Sequence, residues 1–186
     1  MSNRSVSDHD PPAIYTIGHS TRSQEEFIDL LRRYGIVTLV DIRVMPRSRH
    51  NPQFNCEELE RVLPAAGIRY VHLSALGGLR RQSGEESPNM GWRNASFRAY
   101  ADYMMTDAFE QGIADLLALA HDGPAAIMCA EAVPWRCHRS LVADALFVRG
   151  VVARHIHDAR RADPHHLTPF AHVAGVHLTY PPESNE

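Results

Sequence analysis

Apolar and polar positions follow two periods along this chain. Short apolar runs of strand type stand at Ile14–Gly18, Val37–Ile42, Tyr70–Leu73, Ala125–Cys129 and Val151–Ile156. Between them the spacing becomes helical. Ser23 and Glu26 form a capping box, followed by Phe27, Leu30, Leu31 and Tyr34 on one face and Gly35 as the stop. Asn55 and Glu58 repeat the box before Leu59, Val62, Leu63 and Ala66, with Gly67 as the stop. Ser96–Met105, Asp107–Ala120 and Ser140–Arg149 read as three further helices. Pro164–Tyr180 is short of both patterns and suits a helical turn and a small hairpin around Gly175.

Strands alternating with helices predict an α/β fold: a single three-layer domain with a mostly parallel sheet of about five strands, helices on both faces and a small C-terminal hairpin extension. The domain is expected over 13–182, with a disordered lead-in over 1–12 and a frayed tail over 183–186. In such sheets ligands bind outside the carboxyl ends of the strands. Those ends carry His19, Ser20 and Thr21; Asp41, Arg43 and Arg47; His72, Gly77 and Gly78; Cys129 and Glu131; and His155, His157 and Asp158. The opposite edge is plain: Tyr34-Gly35, Gly67-Ile68, Gly123-Pro124 and Gly150. This asymmetry points to one functional edge. The long loop Ser74–Asn94 lies on it.

Composition narrows the function classes. With 186 residues, 44% apolar and 22% charged, the chain suits a folded domain rather than a disordered one. A net charge of −3 argues against a protein that coats polyanions, so any nucleic-acid contact needs a local basic patch. All 19 basic residues are Arg, so every cation can form a planar fork to phosphate or carboxylate. No apolar run reaches membrane-spanning length and no signal core is present, which predicts a cytoplasmic protein without membrane contact. Three cysteines, Cys56, Cys129 and Cys137, make an odd set that does not suit a disulfide framework.

The densest chemistry is CAEAVPWRCHR, Cys129–Arg139, on a strand-to-helix turn. Cys137 and His138 stand where free amides and the helix dipole favour an anion, and Arg136 and Arg139 would lower a thiol pKa there. Cys129 can equally be a buried small hydrophobe. The spacing is near a phosphatase or rhodanese loop, but Arg136 is one residue too far from Cys129, glycines are missing from the turn, and Glu131 would repel phosphate. Cys129, Cys137 and His138, joined by His19 or Asp41, can also supply a zinc or iron site, although no tight Cys pair marks one. His19 can act as general base or brace its loop. Asp41 and Arg43 can grip a ligand or pair with each other, and Gly77 and Gly78 fit a turn. Trp92, Phe97 and Tyr100 can stack a base, yet Phe97 and Tyr100 also sit as helix core.

IYTIGHST, LVDIR, LGG and CAEAVPWRCHR, with the later HIHD and PHHLTPFA…LTYP segments, together resemble the domain of unknown function (DUF) 488 family over Ile14–Tyr180. That family has no settled activity, and some members carry labels such as DNA repair, so the resemblance implies a fold and a site rather than a reaction. The leading expectation is an enzyme acting on a phosphorylated, nucleotide-like or nucleic-acid ligand. Cys129, Glu131, Cys137, His138 and His19 would be its catalytic set. Ser20, Thr21, Asp41, Arg43, Arg47, Gly77, Gly78 and Arg139 would bind the ligand. The alternatives are a non-catalytic anion or nucleic-acid binding module and a Cys/His metal- or thiol-redox protein. Cofactor and oligomeric state are left open.

Overall fold

The computed structural model describes residues 12–81 and 86–182. The expected lead-in, apart from Pro12, and the expected tail 183–186 lie outside the described residues. Strands β1 (Ile14–Gly18), β2 (Thr38–Asp41), β3 (Arg69–His72), β4 (Ala125–Cys129) and β5 (Arg154–Ile156) run parallel in the order β3-β2-β4-β1-β5. A sixth strand, β6 (Ala162–Pro164), adds antiparallel to β5. It was not expected: ADP is short and polar and ends in Pro, a residue tolerated at a sheet edge because it needs no ladder donor there. The hairpin around Gly175 is present as β7 (His172–Ala174) and β8 (His177–Thr179), with Gly175 at φ 67°.

The alternation along each strand sends side chains to two apolar layers. Leu39 of β2 and Ala126 and Met128 of β4 face helices α1 (Gln24–Arg33) and α2 (Cys56–Ala65), meeting Phe27, Leu31, Leu59 and Leu63. Val40 and Ile127 face the other way, toward α3 (Ala95–Tyr103), α4 (Asp107–His121) and α5 (Arg139–Phe147), with Ile113, Leu116 and Leu141. Leu178 and Tyr180 join this second layer, so the hairpin closes the core over α5. All five residues of β4 are buried, as expected for a central strand covered on both faces.

The helix signals act unequally. Ser23 Oγ accepts from the Glu26 amide at 3.1 Å, as a capping box requires. Asn55 makes no such cap. Its Oδ1 accepts instead from the Ser48 amide at 2.7 Å, tying the loop between β2 and α2, which carries Arg43, Arg47 and Arg49, back to the start of α2. Among the described residues no helix is long and apolar enough to cross a membrane.

The crossover from β1 runs through α1 on one face of the sheet, and that from β4 runs through α5 on the other. β1 and β4 are neighbours, so their chains part at the carboxyl edge and leave a crevice there.

Candidate functional site

A cavity of about 700 Å³ occupies this crevice, and it is lined by residues from the ends of β1, β2 and β4. His19, Arg43, Arg47, Gly78, Cys129, Glu131, Cys137 and His138 all border it. The lining also includes Arg136, Asn51, Ser96, Phe97 and Tyr100. Asn51 comes from a loop and Ser96 from the exposed start of α3, where no strand-end rule would have pointed.

At its floor stand two thiols and an imidazole. Cys129 Sγ, Cys137 Sγ and one ring nitrogen of His138 all lie within 4.8 Å of one another. His138 Nδ1 is 3.6 Å from Cys137 Sγ, and Nε2 is 3.3 Å from the Ile42 carbonyl. A carbonyl only accepts, so Nε2 carries the proton and the Nδ1 lone pair faces the sulfur. Gly78 makes room for this ring, because a Cβ there would stand 2.3 Å from Nδ1. The Cys137 thiol is held below its ordinary pKa, first by the Cys129 thiol donating to it and then by the charge of Arg139. Cys129 is pushed up for the same reason, since it donates to Cys137, and burial adds to the effect. The Cys137 sulfur is therefore the more acidic of the pair. These three side chains are also the described group that can hold a metal ion.

The wall beside the cluster is rigid. Arg43 forks onto Asp41, with Nε at 2.9 Å from Oδ1 and Nη2 at 2.6 Å from Oδ2. It also donates to the Phe54 carbonyl at 2.6 Å, and its Nη1 is 3.3 Å from His19 Nε2. Asp41 accepts a further bond from Tyr70 at 2.8 Å. His19 Nδ1 donates to the Ser20 carbonyl at 2.8 Å, so its Nε2 lone pair is the one facing Arg43. Its ring stacks on Phe54 at 4.4 Å between centroids. Burial, then the nearby Arg43 charge, lowers the His19 pKa and keeps the ring neutral. Arg47 reaches out to Glu57 in an exposed pair. Arg136 is exposed at the rim, and its guanidinium has no ion-pair or hydrogen-bond partner among the described residues.

Several expected ligand contacts are not brought here. Arg139 was expected to hold an anion, but it is 1% exposed and lies beneath the loop. It donates to the Glu131 and Ala132 carbonyls and to Thr16 Oγ1 at 3.2 Å, which clamps the turn after β4. Asp41 is fully buried in the Arg43 fork and does not border the cavity. Ser20, Thr21 and Gly77 do not line it either. Ser20 takes φ 50° and donates its amide to Ala130, while Gly77 packs against Val44, so these two shape the loops rather than the opening. His72 bonds the Arg43 carbonyl at 2.7 Å, on the outer side. Nothing from β5 reaches the cavity.

His155 instead joins a buried chain that no sequence motif announced. Arg139 donates to Thr16, whose Oγ1 is 2.7 Å from His155 Nδ1. His155 Nε2 is 3.0 Å from His165 Nδ1, and His165 Nε2 is 2.7 Å from Asp144 Oδ1. Arg can only donate and a carboxylate can only accept, so with neutral rings each hydrogen bond points the same way, from Arg139 to Asp144. The chain links the two buried groups without direct contact between them, while Arg139 Nε has no hydrogen-bond partner among the described residues. It also braces the guanidinium under the cysteine turn.

The model of the family described as Domain of unknown function DUF488 matches residues 23–146. The chain belongs to the DUF488 family. The matched stretch runs from the cap of α1 to the last turn of α5, so it includes every residue that lines the cavity except His19. No match is found among curated proteins or solved structures. The DUF488 assignment carries no reaction, and the function has to be read from the site.

Proposed function

We propose that the protein is an enzyme that takes an anionic ligand, phosphorylated or nucleotide-like, into the crevice between β1, β4 and β2. The observation that carries this reading is the placement of a thiol–thiol–imidazole cluster under Arg136, a guanidinium with no carboxylate of its own. Arg43 and Arg47 border the same opening but are neutralised by Asp41 and Glu57. Among the described residues that line the cavity, Arg136 is therefore the cation free to meet an incoming anion, with a geometry suited to phosphate oxygens. Phe97, half-buried at the start of α3, supplies an aromatic surface against which a base can lie, while Tyr100 is fully buried and belongs to the core. Cys137 and His138 are the reacting groups. Glu131, exposed at the rim, is placed to move a proton to or from the ligand. His19 acts as a neutral brace, since both its nitrogens are engaged.

The test is turnover of phosphate esters, nucleotides and short oligonucleotides by the purified protein. For the compound turned over, Cys137→Ser and His138→Gln are each expected to lower kcat/KM by about 100-fold or more, while Cys56→Ser leaves it unchanged. Full activity in both cluster variants would refute the assignment of the reacting groups. Saturable binding with no turnover of any compound would favour a binding module.

A further inference from the structure

We infer that Cys129, Cys137 and His138 are three ligands of a divalent d-block ion of the zinc type, whose fourth position opens on the cavity. This deepens the reading of the cavity as an active site and rests on it, because an open position is useful only where a ligand enters; Cys137 and His138 then serve the reaction as ligands of the ion rather than as a free nucleophile and base.

The donor set is two sulfurs and an imidazole nitrogen, which suits zinc, cobalt or iron(II) and disfavours magnesium and calcium. Metal–sulfur bonds near 2.3 Å and metal–nitrogen bonds near 2.0 Å in a tetrahedron place S and N about 3.5 Å apart. The Cys137 Sγ–His138 Nδ1 separation is 3.6 Å. All three donor atoms fall within 4.8 Å of one another, so one ion can reach them with small side-chain adjustments.

The surroundings are those of a ligating histidine. Its far nitrogen is tied to a backbone carbonyl, Ile42, which fixes the tautomer that leaves Nδ1 free to coordinate. Gly78 holds open the space beside that nitrogen. The buried Arg139 clamps the Glu131 and Ala132 carbonyls and so fixes the turn that joins the two cysteines. Three protein ligands with a cavity on the fourth side is the arrangement of a catalytic rather than a closed structural site.

The test uses the full chain, untagged, reduced and stripped with a chelator, then titrated with cobalt(II) alone and with zinc(II) in competition. One equivalent of cobalt is expected, with a sulfur-to-cobalt charge-transfer band and the visible bands of a tetrahedral ion, displaced by zinc. Cys129→Ser and His138→Gln are expected to weaken binding by about 100-fold or more, and Cys56→Ser to leave it unchanged. Absence of the charge-transfer band in the folded wild-type protein overturns the inference, and that measurement needs no variant. So does an unchanged band in Cys137→Ala. Binding of inorganic pyrophosphate is measured on the same stripped sample. Pyrophosphate binding without cobalt binding removes the metal centre and leaves the cavity reading standing. Cobalt binding without pyrophosphate binding, to stripped and loaded protein alike, supports the centre and removes the anion.

Discussion

Replacing Asp144 by alanine is expected to lower the unfolding free energy by about 3–5 kcal/mol, the range seen when a buried charge partner is removed. Asp144 sits fully buried in α5 and accepts four hydrogen bonds: from His165 Nε2 at 2.7 Å, the Thr168 amide at 3.0 Å, Thr168 Oγ1 at 2.6 Å and Tyr180 at 2.9 Å. The buried donors of His165 and Tyr180 would lose their acceptor, and an unmet buried donor costs about 1–3 kcal/mol. The substitution also removes the far end of the chain that braces Arg139. Urea unfolding of the variant measures the loss. Asp29→Ala, at an exposed position with a 4.0 Å ion pair, serves as the control and should change stability by less than about 0.5 kcal/mol. A loss below about 1 kcal/mol for Asp144→Ala would mean that the segment from His165 to Tyr180 is held by its apolar contacts alone.

The second large effect is acid lability. His155 is pushed down to about 3, mainly by burial, with the positive charge of Arg139 adding to it. An unfolded His titrates near 6.5. Above that value neither state binds the proton and the contribution of the buried ring is intact. As pH falls below about 6.5 the unfolded chain takes up a proton that the folded one refuses, so stability is lost by about 1.4 kcal/mol per pH unit until the folded ring itself titrates near 3. The expected loss between pH 6.5 and pH 4 is about 3 kcal/mol from this residue. The observable is the difference between wild type and His155→Gln in unfolding free energy against pH. That difference should slope by about one proton over this window. Parallel curves would show that the ring is not buried as a neutral group.

The two effects concern residues that the amino-acid pattern did not single out for this role, and the reason is physical. Apolar periodicity reports burial, so it located β1, β2, β4 and the helices; the strand-end rule then pointed to His19, Arg43 and Cys129, and the Cys129–Arg139 run added Cys137 and His138 beside them. Periodicity cannot say which way a polar side chain turns. Arg139, next to His138 in sequence, turns under the loop rather than toward the ligand because Thr16 and two carbonyls await it there. Asp144 lies inside the apolar run LVADALF, which is the trace its network leaves in the sequence: a carboxylate on a buried helix needs partners, but nothing local names His165, Thr168 and Tyr180. His155 ends a strand as the cavity residues do. β5 lies on the far side of β1 from β4, so its end opens away from the crevice. The capping signals were equally local. Ser23 obeyed its box, while Asn55 was recruited by the Ser48 amide of a loop that the pattern could not place.

The most direct test of the central claim is calorimetric titration of the wild-type protein and Arg136→Ala with pyrophosphate and with AMP, at low and high salt. Arg161→Ala, an exposed residue paired with Asp163, is the control. Binding at one site is predicted, weakened about tenfold or more by Arg136→Ala and by salt, and untouched by Arg161→Ala. Equal affinity in wild type and Arg136→Ala, or no binding of either compound to the wild type, would contradict the account of the β1–β4–β2 crevice as an anion-binding active site.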